Sequence, residues 1–295
     1  MINPTAGRFG IKAFFILTSL VILSLIIIFP LVVTIAGSFM TEQAILTHYS
    51  SRLNTFDLSL GITEKFINIL LIPNPVSLNQ YGEVLVNQPS FLALLFNSIK
   101  ITLPVTLGAL IVGILTAYGF TIWQWKYKEP VFLIFIVVML MPLQAVLVPN
   151  YIIAALFGIQ RSYLAIILPG IFSPFGVFLM RQSMKVIPSA YFEAAKIDGA
   201  GSGYILIHIL LPQLKSSIAA LCMLTFIEYW NVVEQAVIFI DDFRLEPLSV
   251  YLSRLADGRN GLIFAASCVY MFLPIWFLFS GQKSLEKGIE LSGVK

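Results

Sequence analysis

Residues Ala13 to Gly37 run for 25 positions without a charged side chain. At 1.5 Å of rise per helical residue, such a run is long enough to cross the ~30 Å hydrocarbon core of a bilayer. Only a helix can take it across, because lipid offers no partner to an unpaired backbone group. Five more long apolar runs follow. The expected spans are approximately 13–37, 91–122, 131–155, 163–180, 218–240 and 262–281, which makes the chain an all-α polytopic membrane protein with about six transmembrane helices in a single domain, 1–295. Composition agrees: 58% of residues are hydrophobic and 11% charged, against about 45–50% and 25% in soluble domains. The first run follows Arg8 and Lys12 and exceeds the 7–15 residue core of a secretory signal, so it reads as an uncleaved span. A net charge of +3, with no arginine-rich stretch, gives no reason to expect nucleic acid as a partner. Cys222 and Cys268 lie in apolar runs without CxxC spacing and read as small hydrophobes.

Orientation follows from the basic residues. With the N-terminus in the cytoplasm, Arg8, Lys12, Lys126, Lys128, Arg181, Lys185, Lys196, Lys215, Lys283, Lys287 and Lys295 fall inside. Arg52, Lys65, Arg161, Arg244, Arg254 and Arg259 fall outside, and Lys100 lies within a span. Eleven against six places both termini in the cytoplasm by the positive-inside rule. It also makes Arg181 to Pro212 the longest internal cytoplasmic loop. The polar stretch Thr41 to Gln80 is then external, with one apolar patch, Phe66 to Ile72, too short to span. Trp123 to Pro130 supplies interfacial aromatics beside Lys126 and Lys128. Pro142, Pro149, Pro169 and Pro174 each remove a backbone donor from the third and fourth spans. They are consistent with ordinary kinking and with bending around a pathway.

Within the cytoplasmic loop, Ala190 to Ile197 is a good helix former, and Asp198-Gly199 is a turn signal that permits positive φ. From Tyr204 onward, Ile205, Leu206, Ile209 and Leu210 recur at helical spacing. Two short helices hinged at Gly199 are therefore expected, serving either as a docking element or as a well-made connecting loop. The residues Glu193, Ala194, Ala195, Asp198, Gly199, Ala200, Leu211 and Pro212 match in register the EAA-x-x-DGA…L-P loop of membrane subunits in bacterial ATP-binding-cassette importers. Further matches, including Asn97-Ser98, Ala117-Tyr118, Met141-Pro142, Leu168-Pro169, Phe178 to Arg181, Ile187-Pro188, Trp230-Asn231 and the tail GIELSGVK, resemble the carbohydrate-uptake, maltose-type branch, its smaller permease in particular.

That resemblance implies a permease subunit in the bacterial cytoplasmic membrane. It implies a second homologous permease, a cytoplasmic ATPase dimer that uses ATP and Mg, and an extracytoplasmic solute-binding protein. It makes Glu193, Ala194, Ala195, Asp198, Gly199, Ala200 and Pro212 the loop that couples to the ATPase, and a sugar or oligosaccharide the cargo. Ser202, Ser216 and Ala236 depart from the family pattern, the last two where prolines are usual. Gly199, Gly201 and Gly203 lack the following Lys-Ser/Thr and the preceding strand of a P-loop. The chain itself is thus expected to bind no cofactor, and no HExxH or GxSxG arrangement suggests catalysis.

In the fifth span, Glu228, Asn231 and Gln235 are expected to share one helical face, with Glu234 beside it. A charge at the bilayer centre costs about 2.5–3.5 kcal/mol, so these groups should face water or a partner. They read either as a polar interface with another membrane subunit or, with Tyr229 and Trp230 offering ring faces, as the lining of a sugar path. Lys100 could neutralise one glutamate, and His208 reads as a polar loop residue. Two rival functions are an ion-coupled secondary transporter using Glu228, Glu234 and Lys100, and a membrane scaffold or receptor with a cytoplasmic docking loop.

Overall fold

The computed structural model describes residues 11–49, 70–254 and 260–291. Much of the polar stretch Thr41 to Gln80 and the last residues of the tail lie outside that range, and the tail's side chains from 284 onward are not described. Among the described residues the chain is helical apart from turns and a single β-bridge. The helices are α1 (Ile11–Ser38), α2 (Glu42–Tyr49), α3 (Asn79–Gly82), α4 (Pro89–Ile122), α5 (Lys128–Met139), α6 (Leu143–Leu156), α7 (Leu164–Ile171) and α8 (Pro174–Lys185). There follow α9 (Ala190–Ile197), α10 (Ser202–Gln213), α11 (Lys215–Trp230), α12 (Glu234–Phe239), α13 (Leu248–Arg254) and α14 (Asn260–Leu291). Among the described residues, four segments are long and apolar enough to cross a membrane: α1, α4, α7 with α8, and much of α14. Two bent pairs raise the number to six: α5 with α6, turned through 103°, and α10 with α11, turned through 78°.

Two compact units emerge. The first holds the described residues up to Gln88 together with 260–269. Its α1 is apolar on every side and leaves Phe14 to Ile28 largely exposed within the chain, as a helix solvated by lipid or covered by another subunit must be. Ala36, Met40 and Ile45 form a small core there, with Phe264 against it.

The second unit holds Pro89–Arg254 and residues from Tyr270 on. It is organised around α4, which packs against α7, α8 and α11. Pro89 opens α4 at a position where a missing N–H costs nothing. At the α4–α8 crossing a Cβ on Gly113 would stand 3.3 Å from the Gly176 backbone, so small residues set the helix spacing. The prolines act where expected on chemical grounds. Pro142 is extended, with ψ 144°, between α5 and α6. Pro174 starts α8 after Ser173, whose Oγ caps the helix by accepting from Gly176 N at 3.2 Å.

The sequence placed Arg181 at the start of the loop, but α8 continues to Lys185 and carries Arg181 into the core, fully buried. A counter-charge makes this possible: Glu129 of α5 pairs with Arg181 Nη2, and the guanidinium lies 3.8 Å above the Phe132 ring. The Phe120 ring is 5.6 Å away. A planar, weakly hydrated guanidinium tolerates that aromatic environment far better than an ammonium would.

Candidate functional site

The loop after α8 is built from a short helix with one buried anchor. In α9 only Phe192 is buried; Tyr191, Glu193, Ala194, Lys196 and Ile197 face outward, Ile197 with 86% of its surface exposed. Glu193 sits in the first turn, where its charge suits the helix dipole. The helix stops because Gly199 takes φ +80°, a left-handed conformation that a Cβ disfavours by roughly 1–2 kcal/mol. Gly199 N then donates to Lys196 O (3.1 Å) and Ala200 N to Ala195 O (2.9 Å). This pair of bonds is the Schellman closure of a helix C-terminus. Asp198, Gly199 and Ala200 border an open recess of about 600 Å³ with Tyr204 and His208, whose rings stack at 4.2 Å. His208 Nδ1 lies 3.3 Å from Tyr204 O. Pro212 lies inside α10, next to the 78° bend at Leu214.

The loop is welded to the helices above it. Phe192, Ile205, Leu210 and Leu214 share one core with Ala117 and Tyr118 of α4, Leu179, Met180 and Met184 of α8, and Leu221 of α11. Tyr118 Oη also donates to Ser202 O at 2.9 Å. Phe192 thus ties α9 to the ends of α4, α8 and α11 through close-packed side chains.

The second cluster does not have the expected form. The fifth span is not one helix from 218 to 240: α11 ends at Trp230, residues 231–233 are unwound, and α12 begins at Glu234. Glu228, Asn231 and Gln235 thus cannot share a continuous helical face. Asn231 initiates the break by bonding locally, its Nδ2 donating to Ile227 O at 3.0 Å. The freed carbonyls find side-chain donors. Tyr270 Oη donates to Trp230 O, and Ser249 Oγ donates to Val232 O at 2.5 Å. These two donors satisfy backbone groups that hydrocarbon could not.

Glu228, Tyr229, Asn231, Glu234 and Gln235 nevertheless line one recess of about 260 Å³. Gln144 of α6 donates to Glu234 Oε2 at 3.1 Å from across the chain. Trp230 is the exception. It is fully buried, stacked 5.4 Å from Phe226 and 5.2 Å from Tyr270, and offers no face to a solute. Nor does Lys100 neutralise a glutamate: it donates to Asn97 Oδ1 (3.4 Å) and lies 5.5 Å over the Phe96 ring. Among the described residues no group of three or more His, Cys, Asp or Glu could hold a metal ion.

Sequence reasoning missed Gln144, Ser249, Tyr270 and the Arg181–Glu129 pair. Asn97 and Ser98 stood out as a motif, without a role. Asn97 Nδ2 donates to Arg244 O (2.8 Å) and Glu246 O (3.1 Å), and Ser98 Oγ accepts from Leu248 N (2.9 Å). Both hold the irregular stretch ahead of α13.

Known proteins bear on this arrangement. A family model described as "Binding-protein-dependent transport system inner membrane component" matches residues 109–290, from the middle of α4 through most of α14. The lactose transport system permease protein LacG of Rhizobium radiobacter is 28% identical over 203 residues, 68% of this chain and 74% of its own. The sn-glycerol-3-phosphate transport system permease protein UgpE of Agrobacterium fabrum is 27% identical over 270 residues, 90% of this chain and 91% of its own. A solved bacterial ABC transporter involved in the import of the acidic polysaccharide alginate shares the fold with a TM-score of 0.77 at 19% identity. The match covers 95% of this chain and 99% of that one. The all-α membrane architecture and the resemblance carried by the EAA loop are both borne out. The chain belongs to the binding-protein-dependent transport system inner membrane components, and is the membrane-spanning permease subunit, not the ATPase, of an ATP-driven importer.

Proposed function

We propose that this permease imports a neutral sugar or oligosaccharide across the bacterial cytoplasmic membrane, with both termini in the cytoplasm. It would work with a second homologous permease, two cytoplasmic ATPases that bind ATP and Mg, and an extracytoplasmic solute-binding protein. Glu193, Ala194, Ala195, Asp198, Gly199, Ala200 and Pro212 form the loop that seats in the ATPase. The observation that carries this part is α9 itself, an exposed helix whose one buried anchor belongs to the core of three membrane helices.

The cargo reading rests on the recess below α12. Its polar lining is two carboxylates, two amides and a phenol, with no Lys or Arg among its residues. Carboxylates and amides accept hydrogen bonds from sugar hydroxyls, whereas a phosphate or uronate would meet like charge. This favours a neutral cargo of the kind in the name of the lactose permease over an anionic one such as glycerol 3-phosphate or alginate.

The test is purification of the tagged chain from its native membranes, followed by uptake assays on the recovered complex in vesicles. Recovery with a second permease and an ATPase, and uptake of labelled neutral oligosaccharides but not glycerol 3-phosphate, is the expected result. A chain that purifies alone and still moves solute would overturn the assembly. Preferred uptake of an anionic solute would overturn the cargo.

A further inference from the structure

The residues after α1 are folded back by contacts within the first unit. Ser77 N donates to Phe39 O at 2.8 Å, and Met40 pairs with Val76 in an antiparallel bridge. Tyr81 Oη donates to Ser38 Oγ at 2.8 Å, and the Phe39 and Tyr81 rings are 5.5 Å apart. The start of α2 is thereby held beside α3. Between them opens a recess of about 420 Å³ lined by Thr41, Glu42, Ser77, Asn79, Gln80 and Glu83.

Among the described residues, two carboxylates line this recess and no basic residue does. Glu83 Oε1 accepts from Asn87 Nδ2 at 2.9 Å, and neither glutamate has an ion-pair partner among the described residues. Gln80 adds a second, independent feature of the recess. It is 6% exposed and lines the recess, yet its side-chain amide has no hydrogen-bond partner among the described residues. The Gln80 amide lies against Gly261, where a Cβ would stand 2.4 Å from its Nε2 and make the side chain shift. Carboxylate oxygens, an amide oxygen and hydroxyls converging without a cation are the complement of a guanidinium or ammonium group.

We infer that this recess is the socket for an arginine or lysine of the solute-binding protein. The inference rests on the proposed topology, in which the chain emerges on the outer face after α1, where a binding protein arrives. The family's dependence on such a protein supplies the partner, and negative charge without a counter-ion among the described residues supplies the attraction. Charge pairs of this kind set encounter rate and salt dependence more than the resting structure.

The experiment uses the whole complex in lipid nanodiscs with its cognate binding protein, reading ATP hydrolysis against binding-protein concentration at low and high salt. Glu42→Gln with Glu83→Gln is expected to raise the half-stimulating concentration about tenfold at low salt and to flatten its salt dependence. Unstimulated hydrolysis and subunit composition should stay as in the wild type. Gln80→Met, which keeps volume and charge, should produce a smaller rise. Wild-type curves from both variants would overturn the socket. So would loss of the second permease on purification, which would assign the basic side chain to that subunit. A wild-type complex that no concentration of binding protein stimulates would instead bring down the importer topology on which the socket depends.

Discussion

The loop after α8 and the break after Trp230 are both departures from straight membrane helix, and they are built in opposite ways. The loop is made locally. Its conformation is set within α9 and the residues after it, by Gly199 at φ +80° and by hydrogen bonds between near neighbours. The break is made from afar: Tyr270 reaches Trp230 O across 40 positions, Ser249 reaches Val232 O across 17, and Gln144 reaches Glu234 across 90. A local device concentrates its energy in one residue. A distributed device shares it, so single substitutions should be severe in the loop and graded at the break.

The largest effect is expected at Gly199. Proline there would fix φ near −65° and remove the N–H that bonds Lys196 O, a loss of about 3 kcal/mol or more. Gly199→Pro should abolish uptake and release the ATPase while leaving the chain in the membrane with its partner permease. Gly199→Ala meets no atom within 4 Å and incurs only the left-handed penalty of about 1–2 kcal/mol. It should keep part of the transport. Equal loss in both variants would mean that the loop depends on something besides its backbone turn.

The next effect tests whether the loop's foundation is as local as the loop. Arg181 lies beside Met180 in the core that receives Phe192, but its charge partner, Glu129, comes from α5. Glu129→Ala leaves a buried guanidinium without a counter-ion; because the Glu129 carboxylate is itself 65% exposed and screened, the loss should fall below the ~3–5 kcal/mol of a fully buried pair. Arg181→Met removes the charge and keeps most of the volume, and should cost less. Thermal unfolding of the purified complex orders the two. If Arg181→Met is the more damaging, the rings of Phe120 and Phe132, and not Glu129, hold that site.

At the break, Tyr270→Phe deprives the Trp230 carbonyl of its donor, and Ser249→Ala does the same to Val232. Each unpaired buried carbonyl should cost about 1–3 kcal/mol. Both variants should lower the melting temperature modestly and raise the KM for uptake, because the recess-lining Asn231 and Glu234 hang from that backbone. The two donors serve different carbonyls, so their effects should add. Strong coupling between them would make the break a single unit.

The same contrast explains how much could be read from the sequence. The spans announced themselves through length and hydropathy, which need no tertiary information. The loop announced itself through Gly199 and a contiguous motif, and the turn at Gly199 follows from chemistry confined to neighbours. The unwinding after Trp230 had only Asn231 as a local signal, and Asn is tolerated in helices often enough to hide it. Trp230 was misplaced for a related reason. Helical spacing assigns a face, but whether that face meets a cavity or two aromatic rings depends on Phe226 and Tyr270. Arg181 was misjudged because a lone arginine at a span's end usually belongs to the interface. Its burial required Glu129, 52 positions earlier.

The smallest structural effect is expected at Glu234, and that is what makes it informative. Its carboxylate accepts from Gln144 Nε2 on an exposed surface, where such a bond contributes about 0.5–1.5 kcal/mol at most. Glu234→Gln keeps the shape and can still pair with Gln144, so melting temperature and subunit composition should not change. Any large change in uptake must then come from the cargo itself. If Glu234 accepts hydrogen bonds from sugar hydroxyls, the substitution should raise KM several-fold for a neutral oligosaccharide and ease entry of an anionic one. If uptake of both is unaltered, Glu234 belongs to the scaffold of the break, and selectivity must be sought at Glu228, before the unwound residues, and at Asn231 among them.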